Sequence, residues 1–223
     1  MFNSQPARER DPEARRSRLL AAATQVFAKD GFEKASLRQI CLKARVNLAA
    51  VKYYFGNKEE LYRDVLLDTH RKALEHETPV RLTEGENPED TLRRWIYFCL
   101  RFMLLKRASN PVTGHLMSHE LRQPTPCLND FVRLVVRPFH QDLHQIVAAV
   151  MNQSEVTEEI VTVSHHIVGL CVHYDHGRAV MERLGQPVPK TDPDIRRLAE
   201  SVADFVLFGL CGLRARRAAA AMA

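Results

Sequence analysis

Two short segments, each opened by a helix-capping residue and separated by only a few positions, constrain the fold of this chain more than any other feature. Ser36-Leu37-Arg38-Gln39 has the form of a capping box, in which the serine hydroxyl and the glutamine amide reciprocally satisfy free backbone N–H groups. It predicts a short helix over Leu37–Ala44. Arg45-Val46 supplies a tight turn, and Asn47 is a good N-cap for the next short helix, Leu48–Phe55. Upstream, Asp11-Pro12 starts a helix whose apolar residues Leu19, Leu20, Ala23, Val26 and Phe27 repeat at helical spacing. Lys29-Asp30-Gly31 ends it, with Gly31 suited to the left-handed position beyond a helix.

The remaining chain reads as further helices and no strand. Gly56-Asn57 caps a fourth helix from Lys58 to about Glu75, and Thr78 to Asn87 is a polar loop. Asn87-Pro88 opens a helix carrying Leu92, Trp95, Ile96, Cys99, Phe102 and Met103. Ser109-Asn110-Pro111 separates it from a shorter one ending near Arg122. After the break at Pro124-Thr125-Pro126 comes a helix that Pro138 should kink or split. A long helix is expected from about 157 to 184, closed by Gly185, and a last one from Asp192-Pro193 to about Arg217. The expected fold is all-α. A three-helix, homeodomain-like helix-turn-helix module over residues 1–57 precedes a helical ligand-binding and dimerisation domain over 58–223.

Charge separates the same two regions. The formal net charge is +5, yet residues 1–58 carry twelve Lys/Arg against five Asp/Glu, and the remaining chain is slightly acidic. A compact basic module on a near-neutral body is the footprint of phosphate binding. Arg8, Arg10, Arg15 and Arg16 read first as solvated tail residues, with a DNA contact as the alternative. No apolar signal-like region opens the chain, and its longest apolar run, Phe205 to Leu213, is nine residues, roughly half of what a bilayer requires. Five scattered cysteines read as thiols of a cytoplasmic protein rather than a disulfide framework.

Two short helices joined by a tight turn can present the second helix to the DNA major groove. Ala44, Val46, Val51 and Phe55 are expected to bury against the first helix. That leaves Leu48, Ala49, Ala50, Lys52, Tyr53 and Tyr54 partly outward, with small residues letting the backbone approach base edges. The tyrosine hydroxyls, Lys58 and the helix start at Ser36 are candidate phosphate partners. The ordered motif F-x-x-x-G-F-x-x-A-S-L-R-Q-I from Phe27, followed by V-N-L-A-A-V-K-Y-Y-F-G-N-K-E-E-L-Y from Val46, closely resembles the DNA-binding signature of the TetR family. That resemblance implies that Leu48, Ala49, Lys52 and Tyr53 face the groove while Ser36, Tyr54 and Lys58 hold phosphates. It also implies a double-stranded operator, a homodimer through helices about 157–184 and 193–217, and a small-molecule effector that releases a repressor.

In the C-terminal half, His119-Glu120-Leu121-Arg122-Gln123-Pro124-Thr125-Pro126, Arg137-Pro138 and Ile167-Val168-Gly169 resemble the CecR/CerR-type branch of that family. All ten histidines lie beyond residue 69, with i,i+4 pairs at His115/His119 and His140/His144. Surface or pocket-lining positions, a ligand contact and a metal site all fit such pairs. No complete ligand set accompanies them, so no metal and no cofactor are expected. The candidate pocket residues are Trp95, Phe98, Phe102, His119, His166, His173 and Tyr174, a mixture suited to an aromatic or polar small molecule. No phosphate-cradling glycine loop or nucleophile elbow appears, so an enzyme is not expected. A DNA-binding scaffold without an effector stays open as an alternative.

Overall fold

The computed structural model describes residues 11–75, 77–106 and 111–222. Packing divides the chain into two compact units that each take non-contiguous segments. The first comprises residues 1–75 and 111–133, and the second residues 76–110 and 134–223. The 57/58 boundary expected from sequence therefore falls inside the first unit. Its physical reason is the fourth helix, whose Leu61, Tyr62, Val65 and Leu66 are buried with the first helix rather than serving as a linker.

In the first unit, α1 (Pro12–Lys34) starts at Asp11, whose carboxylate accepts from the Glu13 N–H at 2.9 Å. Gly31 adopts φ 74°, as its place in the sequence suggested, but the chain resumes a helical turn to Lys34 instead of stopping. A Cβ on Gly31 would stand 3.1 Å from the ring of His119, so the kink also seats that imidazole. Next come α2 (Leu37–Ala44), α3 (Leu48–Phe55) and α4 (Lys58–Ala73), joined later in the chain by α6 (Pro111–Arg122) and α7 (Cys127–Phe131). Leu19, Phe27, Ile40, Val51, Leu61, Tyr62 and Leu116 fill the core of this unit. Phe27, Phe32 and Tyr62 meet there with ring centres 4.8–6.2 Å apart.

The second unit contains α5 (Pro88–Arg101), α8 (Arg137–Val150), α9 (Glu158–His176), α10 (Arg178–Arg183) and α11 (Asp192–Ala221). Trp95, Ile96 and Leu100 of α5 pack with Leu143 and Val147 of α8, Ile167 and Cys171 of α9, and Ile195, Ala203 and Leu210 of α11. Asn87, Thr157 and Thr191 cap α5, α9 and α11. Two π-helical segments, Phe102–Lys106 after α5 and Val132–Val136 before α8, were not foreseen. Pro138 falls in the first turn of α8, directly after the second of these segments.

The long helix expected over 157–184 is divided at Gly177. The Gly177 N–H donates to the His173 carbonyl at 2.7 Å, and a Cβ would come within 2.7 Å of that oxygen, so only glycine closes the break. The last helix runs past Arg217 to Ala221, because its alanine-rich end favours helix. Cys41, Cys99, Cys127 and Cys171 are buried free thiols, and Cys211 is exposed. Among the described residues no helix is long and apolar enough to cross a membrane.

Candidate nucleic-acid interface

The turn between α2 and α3 is closed by backbone geometry. The Val46 N–H reaches the Cys41 carbonyl at 3.0 Å and the Arg45 N–H reaches Leu42 at 3.2 Å, with Arg45 itself left-handed at φ 53°. This pattern of paired bonds ends a helix sharply and usually employs glycine. At the start of α2, the Ser36 hydroxyl accepts from the Gln39 N–H at 3.2 Å while the Ser36 N–H donates to the Gln39 side-chain oxygen at 3.0 Å. Asn47 opens α3 by accepting from the Ala50 N–H at 3.1 Å. Both caps of the sequence motif are therefore formed.

One side of α3 is anchored: Val51 and Phe55 are buried. Ala50, expected to face partly outward, is buried as well, because it lies one residue from Val51 on the packed side. The opposite row is open, with Leu48 53% exposed, Tyr53 79% exposed, and Ala49 and Lys52 also exposed. Tyr54 is half-buried and meets the Tyr53 ring edge-on at 4.8 Å. Arg16 holds the anchored end, lying 5.0 Å over the Phe55 ring and pairing with Asp64 of α4 at 2.9 Å. Arg8 and Arg10 lie outside the described residues.

Two of the expected phosphate partners have intramolecular engagements. Ser36 is exposed, but its hydroxyl also donates to Gln39 at 3.0 Å. Lys58 folds back so that its ammonium donates to the Glu33 carbonyl at 3.3 Å and sits 4.5 Å over the Phe32 ring. Sequence reasoning passed over neighbouring exposed residues, Arg38 and Leu42 on α2 and Arg45 in the turn after it, with Leu42 at 82%. The i, i+4 spacing of Arg38 and Leu42 was the signal that could have found those two.

A buried polar link ties α4 to α6. Glu120, 1% exposed, accepts from the Tyr62 hydroxyl at 2.8 Å, from the Thr125 N–H at 2.8 Å and from the Thr125 hydroxyl at 2.9 Å. Burial first, and then the bond to Glu120, push the Tyr62 phenol well above its ordinary value.

The expected pocket residues are divided between the two units. Trp95, Phe98 and Phe102 of the second unit do assemble. Phe139 stacks on Trp95 at 4.5 Å and lies 6.0 Å from Phe98, which stacks on Phe102 at 6.4 Å. Tyr174 is partly buried against the same core. His166 and His173 are exposed on α9, with His173 edge-on to Tyr174 at 5.7 Å. His119 belongs to the first unit, where it lines a groove of about 520 Å³ with Gln25, Lys29 and His115. Among the described residues no three His, Cys, Asp or Glu side chains converge as a metal site.

Residues 19–65 match the family described as bacterial regulatory proteins, tetR family. Residues 88–210 match the C-terminal domain of the HTH-type transcriptional dual regulator CecR. The dual regulator CecR of Shigella flexneri is 26% identical over 182 residues, covering 78% of this chain and 81% of its own length. The HTH-type transcriptional repressor NicS of Pseudomonas putida is 36% identical over 83 residues, so the chain matches 37% of itself and 39% of that relative. The transcriptional regulator FadR of Bacillus subtilis, solved with stearoyl-CoA, has a TM-score of 0.60 at 18% identity and covers 86% of this chain and 97% of its own. That last likeness is one of fold.

Proposed function

Because the chain belongs to the TetR family of bacterial regulatory proteins, with a C-terminal half of the CecR type, we propose that it is a cytoplasmic, ligand-responsive repressor that binds a near-palindromic operator as a homodimer. The observation that carries the DNA-binding part is the open row Leu48, Ala49, Lys52 and Tyr53 on a helix whose other side is anchored. A rigid helix with small residues at its start brings base edges within reach of Lys52 and Tyr53, and Leu48 and Ala49 suit a thymine methyl. Ser36, Tyr54 and Lys58 serve the phosphates beside it. A two-fold operator requires two copies of this module, and the exposed phenylalanines of α11 support pairing of the second units. A small molecule bound in the second unit shifts α4, alters the separation of the two recognition helices and releases the operator. Such coupling typically amounts to about 1–3 kcal/mol.

Lys58 supplies a test with two distinct outcomes. Lys58→Ala is expected to weaken binding to every duplex and to lower the slope of log affinity against log salt by about one unit. Lys52→Ala and Tyr53→Ala instead weaken the operator more than random DNA. A mobility-shift series across salt concentrations reads both effects. An unchanged slope for Lys58→Ala assigns that side chain solely to bracing α4 on Glu33 and Phe32. For the effector, thermal shift discriminates: a ligand raises stability as RT ln(1 + [L]/Kd), and a scaffold without an effector shows no such rise for any compound that changes operator affinity.

A further inference from the structure

Among the described residues of the second unit, the buried side-chain polar atoms without a hydrogen-bond partner are on Trp95, His144 and Gln153, and the first two stand on α5 and α8. Trp95 is fully buried and its indole Nε1–H is unpaired; the Nε2 atom of His144 is buried and unpaired as well. Native structures keep few such groups, and each calls for an explanation. Each has ring neighbours of its own, aromatic for Trp95 and imidazole for His144, and Phe139 and His140 join the two sets as consecutive residues of α8. Phe139 lies along the indole with 29° between ring planes, and Phe98 stands beside Phe139. At the next position of α8, His140 has its ring 6.2 Å from His144 and 5.5 Å from His165 of α9. The His165 Nδ1 is held on the Val161 carbonyl at 2.8 Å, which orients that ring. Burial, followed by the neighbouring imidazoles, lowers the pKa of His140 and His144, so this group is short of negative charge rather than supplied with it. The two π-helical segments flank these residues in the chain, directly after α5 and directly before α8. Interruptions of this kind recur at functional sites.

We infer that this group in the second unit is the effector site and that its ligand is a planar aromatic carboxylate. The assignment rests on the ligand response proposed above and names the chemistry of that ligand. A ligand ring lies against Phe98 and Phe139, a ligand oxygen accepts from the Trp95 indole, and the carboxylate faces His140, His144 and His165. An acceptor-only, negatively charged group complements both the indole donor and imidazoles that turn into donors when protonated. An aliphatic carboxylate reaches the same donors but has no ring face to lay against Phe98 and Phe139. A cationic ring would bring a donor to a donor. Because Trp95 is fully buried under Phe139, the ligand ring enters by displacing Phe139, which makes binding and movement of α8 a single event.

The chain has one tryptophan, so the full-length protein gives a single indole N–H resonance in a 1H–15N correlation spectrum. Titration with sodium 2-naphthoate, phenylacetate or benzoate is expected to move that resonance downfield and saturably for at least one of the three. The uncharged 2-naphthamide should bind at least ten-fold more weakly, roughly the worth of one charge-assisted hydrogen bond, and sodium decanoate, which keeps the carboxylate but has no ring face for Phe98 and Phe139, should also bind more weakly. His140→Phe and His144→Gln should each weaken the carboxylate by about that factor. Circular dichroism and thermal unfolding matching the wild type show that both variants are folded. An indole resonance unmoved by all three acids overturns the site. Equal or tighter binding of decanoate or of 2-naphthamide overturns the ligand class. A compound that releases operator DNA without moving the resonance overturns this site while the ligand response stands. An acid that moves the resonance but leaves operator affinity unchanged supports the site and removes the ligand response.

Discussion

Phe205→Arg combined with Phe208→Arg is expected to leave the protein monomeric at micromolar concentration and to abolish tight operator binding. In the sequence, Leu198, Val202, Phe205, Val206, Gly209, Leu210 and Leu213 read as one broad apolar stripe. The fold divides it. Val202, Val206 and Leu210 fill the core of the second unit, whereas Phe205 is 71% exposed and Phe208 81% exposed. Gly209 and Gly212 lie exposed beside them, with open space where a Cβ would be. Burying one phenylalanine contributes about 2 kcal/mol, and an isologous interface uses each residue twice. The double substitution therefore removes roughly 8 kcal/mol before any like-charge repulsion, more than half the association energy of a nanomolar dimer. Sedimentation reads the monomer directly. Thermal unfolding of the monomer should change little, because both rings are exposed within one chain. An intact dimer would assign this face of α11 to something other than self-association.

Glu120→Ala is expected to destabilise the first unit by about 3–5 kcal/mol and to lower its unfolding temperature by about 12 °C or more. The truncation strands the Tyr62 hydroxyl and the Thr125 N–H, both of which now donate to a carboxyl that is fully buried. Glu120→Gln should lie between, since its NH2 group turns a donor toward one of those donors. Tyr62 stands on α4, whose first turn follows α3 through Gly56-Asn57, so operator affinity should fall together with stability. The pH dependence has a definite sign. The Tyr62 pKa is raised in the folded protein, so its contribution is complete below the unfolded phenol value of about 10 and fades as the pH climbs beyond it. Calorimetry of the wild type and both variants checks the order, and a Glu120→Ala protein as stable as the wild type would remove the link from the energetics of this unit.

What could be read from the sequence was local. Ser36, Asn47, Asn57 and Asn87 each marked a helix start because a cap involves only its next two or three residues. The open row of α3 was legible for the same reason, since one helical period sorts Val51 and Phe55 from Leu48, Lys52 and Tyr53. Non-local packing was not legible. Residues 111–133 join residues 1–75 in one unit, which seats His119 at Gly31. Nor does spacing along the chain reveal that Phe139 covers Trp95, or that Lys58 turns back to Glu33. The π-helical segments carry no clear compositional mark, so two register changes beside the aromatic group went unseen.

Selection of bound duplexes from a random pool by the full-length protein, repeated with Tyr53→Ala, tests DNA reading by α3 most directly. The expected result is a near-palindrome whose half-sites lie about one helical turn, or a multiple of it, apart, bound at least 10³-fold more tightly than random DNA. Tyr53→Ala should blur the half-site sequence while keeping the spacing. A pool that stays unenriched, or half-sites that Tyr53→Ala, Lys52→Ala and Leu48→Ala all leave unchanged, would contradict sequence reading by this helix.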